Sequence, residues 1–143
     1  MSKIAVVYWS GTGNTEQMAN AVAEGIQAAG GTATLLGPSE FTAADVAAYD
    51  ALAFGCPAMG AEQLEESEFE PMFSAVEGSL NGKRIALFGS YGWGSGEWMQ
   101  EWAERCRQAG AVLLRDEGLA VNDAPDEEAL DACRDLGRAL ANG

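Results

Sequence analysis

Five short apolar, β-branched runs recur along this 143-residue chain, and longer stretches with helical periodicity lie between them. The predicted strands are Ile4–Tyr8, Thr32–Leu36, Ala51–Gly55, Arg84–Phe88 and Ala111–Leu114, the last continued in part by Gly118–Val121. The predicted helices are Glu16–Ile26, a short Thr42–Ala48, Phe69–Val76, Glu97–Ala109 and Asp126–Leu140. Met18, Val22 and Ile26 fall on one face of the first helix, and Leu130, Cys133, Leu136 and Leu140 on one face of the last. Gly30-Gly31, Gly37-Pro38-Ser39 and Asn81-Gly82 supply the turns. Ala51–Gly55 is apolar throughout, as a strand covered on both faces must be. Strict alternation of strand and helix predicts an α/β fold, an open, doubly wound parallel sheet with helices on both faces. No repeat, linker or shift in composition interrupts it, so residues 1–143 are expected to form one domain.

Such sheets bind ligands at the carboxyl ends of their strands. That rule selects the loops after the first, third and fourth strands: Ser10–Thr15, Cys56–Gln63 and Gly89–Gly96. In Ser10-Gly11-Thr12-Gly13-Asn14-Thr15, two glycines let the backbone turn tightly ahead of a helix N-terminus, whose free N–H groups and dipole favour an anion. Ser10, Thr12, Asn14 and Thr15 add uncharged donors. The loop lacks the Gly-Lys-Ser/Thr ending of a Walker A loop and the third glycine of a dinucleotide fingerprint. A plain strand–helix turn capped by Ser10 or Thr12 is the competing reading.

The second loop contains Pro57, Ala58, Met59, Gly60 and Glu62. Met59 is a polarizable group suited to an aromatic face, Gly60 frees the Met59–Gly60 peptide, and Glu62 can accept an N–H from a heterocycle. The third places Tyr91 and Trp93 among Gly89, Ser90, Gly92, Gly94, Ser95 and Gly96, where a flat partner would occupy aromatics that their small neighbours leave uncovered. Trp98, just inside the next helix, reads as core or pocket wall. A phosphorylated, planar, hydrogen-bonding ligand suits the three loops together, and flavin mononucleotide (FMN) is the natural candidate.

Charge narrows the partners. The formal net charge is -14, and no lysine or arginine occurs from residue 4 to residue 82. Such a surface repels nucleic acid and anionic membranes and suits partners with basic patches. The run Glu62, Glu65, Glu66, Glu68, Glu70 and Glu77 reads as a solubilising face beside the ligand loops. There is no histidine, and Cys56, Cys106 and Cys133 have no metal-ligand spacing, so neither a zinc site nor a cysteine–histidine nucleophile is expected. The odd cysteine count, the strand that begins at once and the lack of a long apolar run predict a cytoplasmic protein.

Tyr8-Trp9-Ser10-Gly11-Thr12-Gly13-Asn14-Thr15-Glu16, Gly55-Cys56-Pro57-Ala58-Met59-Gly60 and Gly89-Ser90-Tyr91-Gly92-Trp93-Gly94-Ser95-Gly96-Glu97-Trp98 resemble the phosphate loop and the two isoalloxazine loops of short-chain flavodoxins, closest to the clostridial type. The resemblance covers essentially the whole chain. It implies a 2-1-3-4-5 strand order, a tightly bound non-covalent FMN, and a monomeric low-potential one-electron carrier working mainly between the semiquinone and hydroquinone states, not an enzyme with a substrate of its own. It assigns Ser10 through Thr15 to the phosphate and Trp9 to its flank. Met59 and Trp93 would cover the two ring faces, Glu62 would bond the N3 side, and Ser90, Tyr91 and Gly92 would meet the pyrimidine edge. Pro57, Ala58, Gly60, Gly94 and Gly96 belong to the same two ring loops.

The resemblance further implies that the Met59 carbonyl turns to accept an N5–H on reduction, with Gly60 easing the turned state. Acidic charge and water exclusion by stacking would oppose full reduction. Ferredoxin-linked reductases and oxidoreductases are the implied partners. A flavodoxin-fold FMN-dependent NAD(P)H reductase is the alternative, although no basic pocket for a nicotinamide phosphate is visible. A receiver-like signalling module would need clustered aspartates that Tyr8-Trp9-Ser10 and Cys56-Pro57 do not supply.

Overall fold

The computed structural model describes residues 3–11, 13–58, 64–92, 96–114 and 118–142. Its elements run β1 (Lys3–Tyr8), α1 (Asn14–Ala28), β2 (Thr32–Leu36), β3 (Ala51–Gly55), α2 (Phe69–Glu77), β4 (Arg84–Tyr91), α3 (Glu97–Gln108), β5 (Val112–Leu113), β6 (Leu119–Asn122) and α4 (Glu127–Asn142). All strand pairs are parallel, in the order β2-β1-β3-β4-β5, with β6 also on β4. The expected doubly wound sheet and its 2-1-3-4-5 order are therefore present. The split at the edge is informative. Arg84 and Ile85 of β4 pair with Val112 and Leu113, whereas Phe88 to Tyr91 pair with Leu119 to Asn122. Thus β5 and β6 are two halves of one strand position, which carries the sheet edge beyond Leu114.

The period-two alternation of the central strands sorts their side chains into two cores. Ala5, Val7, Leu52, Phe54, Ile85 and Leu87 join α2 and α3 through Phe69, Phe73 and Trp102. Ile4, Val6, Ala51, Ala53, Ala86 and Phe88 join α1 and α4 through Met18, Val22, Ile26, Cys133 and Leu136. On the first face aromatic edges interlock: Phe54 meets Phe73 at 5.2 Å and Trp102 meets Phe69 at 5.5 Å, both near perpendicular. On the second face small residues bring two helices together. A Cβ at Gly25 would fall on the Arg134 carbonyl, and one at Gly137 on the Val22 carbonyl.

Two expectations change. The short helix at Thr42–Ala48 forms instead as a 3-10 segment, Ala43–Ala48, after another at Pro38–Glu40. Each is tied at its start by a side chain: Glu40 accepts the Gly37 N–H at 2.8 Å and Asp45 the Thr42 N–H at 2.9 Å. Each such bond satisfies a free N–H at the start of its segment, as a capping box does. The acidic run is not simply a solvated face either. Glu65 is buried, with Oε1 accepting the N–H groups of Glu68 at 2.8 Å and Phe69 at 2.9 Å, and Oε2 that of Ser67 at 2.9 Å. Glu70 and Glu77 clamp Arg105 of α3, each with one contact at 2.7 Å.

Candidate functional site

The carboxyl ends of β1, β3 and β4 stay in register past the last strand residues. Trp9 N–H donates to Gly55 O at 3.0 Å, Cys56 N–H to Phe88 O at 3.1 Å, and Ala58 N–H to Ser90 O at 3.0 Å. These bonds hold the three loop starts side by side. A cavity of about 340 Å³ opens between them, lined by Trp9, Gly11 and Asn14 from the first loop, Pro57 and Ala58 from the second, and Ser90, Tyr91 and Gly92 from the third. Its size falls within the range of small-molecule sites. Among the described lining residues there is no lysine or arginine.

At the first loop, Gly13 has a φ of 95° and is the N-cap of α1, so this turn requires a residue that tolerates the left-handed region. The Ser10 hydroxyl accepts the N–H groups of Gly13 at 3.1 Å and Glu16 at 3.2 Å, acting from outside the helix as a cap would. Asn14 and Thr15 begin the helix, where backbone N–H groups have no carbonyl partner within it. The Thr15 hydroxyl lies 3.2 Å from that of Ser90, with both residues buried, and this pair ties the start of α1 to the end of β4.

Tyr91 is the last residue of β4, half-buried rather than projecting from a loop, with its ring 5.4 Å from that of Trp98. Trp98 is buried and donates its indole N–H to Cys56 O at 3.3 Å, so it forms the floor beneath the second and third loops. Burial pushes the Cys56 thiol up to about 12; neighbouring Glu65 and Glu70 also oppose the thiolate, and the Glu65 N–H only partly offsets this. That thiol is a packing group. Gly96, with a φ of 85°, is the N-cap of α3 and does not line the cavity. Thr12, Met59, Gly60, Glu62, Trp93 and Gly94 lie outside the described residues.

One lining residue was not anticipated. Asp123 follows β6 and reaches the cavity from the sheet edge that the split strand extends. Its φ of 58° is the one positive value at a non-glycine among the described residues, and its N–H donates to Tyr91 O at 2.7 Å. The signal available in the sequence was Asn122-Asp123 ahead of Pro125, residue types that favour turns.

A doubly wound parallel sheet whose strand ends enclose a neutral, helix-capped anion nest beside a largely apolar slot defines a mononucleotide-binding α/β protein. The family model described as Flavodoxin matches residues 6–137. The flavodoxin of Megasphaera elsdenii is 46% identical over 139 residues, spanning 96% of this chain and 98% of that one. That of Clostridium beijerinckii is 44% identical over 137 residues, with 96% and 98% covered. The solution structure of two-electron reduced Megasphaera elsdenii flavodoxin matches at a TM-score of 0.89 and 44% identity, covering 98% of this chain and 99% of that one.

The chain belongs to the flavodoxin family. Members of that family bind FMN and transfer electrons rather than catalyse a reaction of their own, and this chain is an FMN-binding electron carrier that works with redox partners. The lining offers groups of the kind the cofactor needs: the Asn14 amide and the free N–H groups at the start of α1 for a phosphate, and an apolar slot at Pro57, Ala58 and Tyr91 for a flat ring. No described helix is long and apolar enough to cross a membrane.

Proposed function

We propose that residues 1–143 form a single FMN-binding domain that carries one electron at a time, at low potential, between redox enzymes with basic docking patches. The carrying observation is the cavity at the ends of β1, β3 and β4, bounded by neutral donors and one carboxylate, with no cation among its described lining residues. FMN supplies the redox chemistry; the protein binds it, orients it and sets the cost of charge on it. Ser10, Gly11, Thr12, Gly13, Asn14 and Thr15 hold the phosphate through hydroxyls and backbone N–H groups. Trp9 flanks that end. Pro57, Ala58, Ser90, Tyr91 and Gly92 frame the ring, and the resemblance assigns Met59, Gly60, Glu62, Trp93, Gly94 and Gly96 to the same loops.

A site whose described lining residues include no cation makes added negative charge costly, which favours a low potential for the second electron. The net charge of -14 steers positively charged partner surfaces and makes encounter rates fall as salt rises. We place the carrier in the cytoplasm as a monomer; the buried thiols of Cys56, Cys106 and Cys133 suit a reducing compartment. The test is the visible spectrum of purified protein during stepwise reduction. A yellow protein that takes up two electrons in two separated steps is expected. A colourless protein that does not take up added FMN would overturn the proposal.

A further inference from the structure

The acidic segment ahead of α2 reaches back to the first loop. The Glu68 carboxylate accepts the Trp9 indole N–H at 2.8 Å, across 59 positions of sequence. Trp9 is fixed at its backbone by the 3.0 Å bond to Gly55 O. Its six-membered ring lies across Gly11, so that a Cβ there would stand 2.9 Å from Cη2 and 3.2 Å from Cζ3. Glu68 is held in turn, since its N–H donates to Glu65 Oε1 at 2.8 Å. Trp9, Gly11 and Asn14 all line the cavity.

We propose that Glu68 is a positioning residue for the phosphate end of the cofactor site, fixing the Trp9 indole over Gly11 and joining the segment after residues 59–63 to the phosphate loop. A half-buried tryptophan at a strand end has two side-chain torsions to spend. Fixing them in the free protein removes an ordering cost from binding, which is how preorganisation raises affinity. The absence of a side chain at Gly11 is then a packing requirement: any larger residue there displaces the indole. Asp123 offers no comparable support to Trp9, because it approaches from β6 and bonds to Tyr91. The inference rests on the FMN reading above.

The experiment titrates apoprotein with FMN and, separately, with riboflavin, following flavin fluorescence. It compares Glu68→Ala, Glu68→Gln, Trp9→Phe and the double variant Glu68→Ala/Trp9→Phe, with urea midpoints recorded for each. Loss of one charge-assisted but partly solvated hydrogen bond raises the FMN dissociation constant about three- to tenfold in Glu68→Ala and in Trp9→Phe. Glu68→Gln keeps a carbonyl acceptor and recovers most of the affinity. The double variant is no weaker than the weaker single one, as residues acting through one bond require. Riboflavin, which lacks the phosphate, changes less than FMN. Additive losses, an unchanged FMN affinity in Glu68→Ala, a Glu68→Gln variant as weak as Glu68→Ala, or equal effects on both ligands would each overturn the proposal. Failure of the unsubstituted protein to bind FMN would instead refute the cofactor assignment.

Discussion

Replacing Glu65 by alanine removes the acceptor that starts α2, and its consequence can be worked from the contacts. One carboxylate takes three backbone N–H groups, those of Ser67, Glu68 and Phe69, and also the Ser67 hydroxyl. Water reaches Ser67 and Glu68 once the carboxylate is gone, so each of those bonds costs on the order of 0.5–1 kcal/mol. The Phe69 N–H is buried and stays unpaired, which adds about 1–3 kcal/mol. The sum is about 3 kcal/mol. With an m-value near 2 kcal/mol per molar urea, the apoprotein midpoint should fall by about 1.5 M, read by far-ultraviolet circular dichroism. A fall below about 0.3 M would refute the capping argument.

The same group supplies a pH signature. Burial raises the Glu65 pKa, but the Ser67 hydroxyl and the N–H groups of Phe69, Ser67 and Glu68 together outweigh it and hold the group below the ordinary carboxylate value. A depressed folded-state pKa gives stability that is fully present above the unfolded value, about 4.3, and is lost as pH falls through the folded value. The gap in stability between the parent protein and Glu65→Ala should therefore be constant near neutrality and narrow on acidification below about pH 4.5. A gap that widened there would refute the assignment of the charge.

Three further outcomes are expected. Arg105→Ala should cost about 2 kcal/mol in urea unfolding, because it leaves the Glu70 and Glu77 carboxylates without their shared cation and uncovers the Phe73 ring, whereas Arg107→Ala, at a solvent-exposed pair with Glu104, should stay within about 0.5 kcal/mol. Gly137→Ala should destabilise by about 2 kcal/mol despite alanine's better helix propensity, since its methyl meets the Val22 carbonyl, while Gly78→Ala, with ordinary φ and open space around it, should be neutral or slightly stabilising; equal effects in thermal melts would remove the helix-contact argument. The thiols of Cys56, Cys106 and Cys133, each pushed up to about 12 chiefly by burial, should resist a disulfide reagent at pH 8 until urea unfolds the chain, and rapid labelling of the native protein would contradict their packing.

What the sequence disclosed and what it hid divide along a physical line. Strands buried on both faces must be apolar throughout, so Ile4–Tyr8 and Ala51–Gly55 declare themselves, and parallel connections leave few orders for them. The loops after β1, β3 and β4 were legible for the same reason, because strand ends are where a ligand meets free backbone groups. Glu65 was hidden because pattern reading treats each glutamate in an acidic run alike; only the fold shows one of them turned inward onto the start of α2. The bond between Trp9, which the resemblance had placed beside the phosphate, and Glu68 was hidden by their separation, since no local periodicity links residues that meet only after β1 and β3 pair.

Asp123 was missed for a third reason. β5 and β6 occupy one strand position beside β4, so the carboxyl end of that position lies after Asn122. The sequence continues the fifth strand in part through Gly118–Val121, but ligand groups are sought only after the first, third and fourth strands, so the end of this position goes unsearched. The correction is geometric: Phe88 to Tyr91 of β4 need a neighbour along their whole length, and Val112–Leu113 reach only Arg84 and Ile85. Unpaired backbone on an interior strand costs free energy, so the second half of that edge had to be supplied by residues further along the chain. Leu119 to Asn122 supply it, and that places Asp123, in a left-handed conformation next to Gly92, at the fourth wall of the cavity.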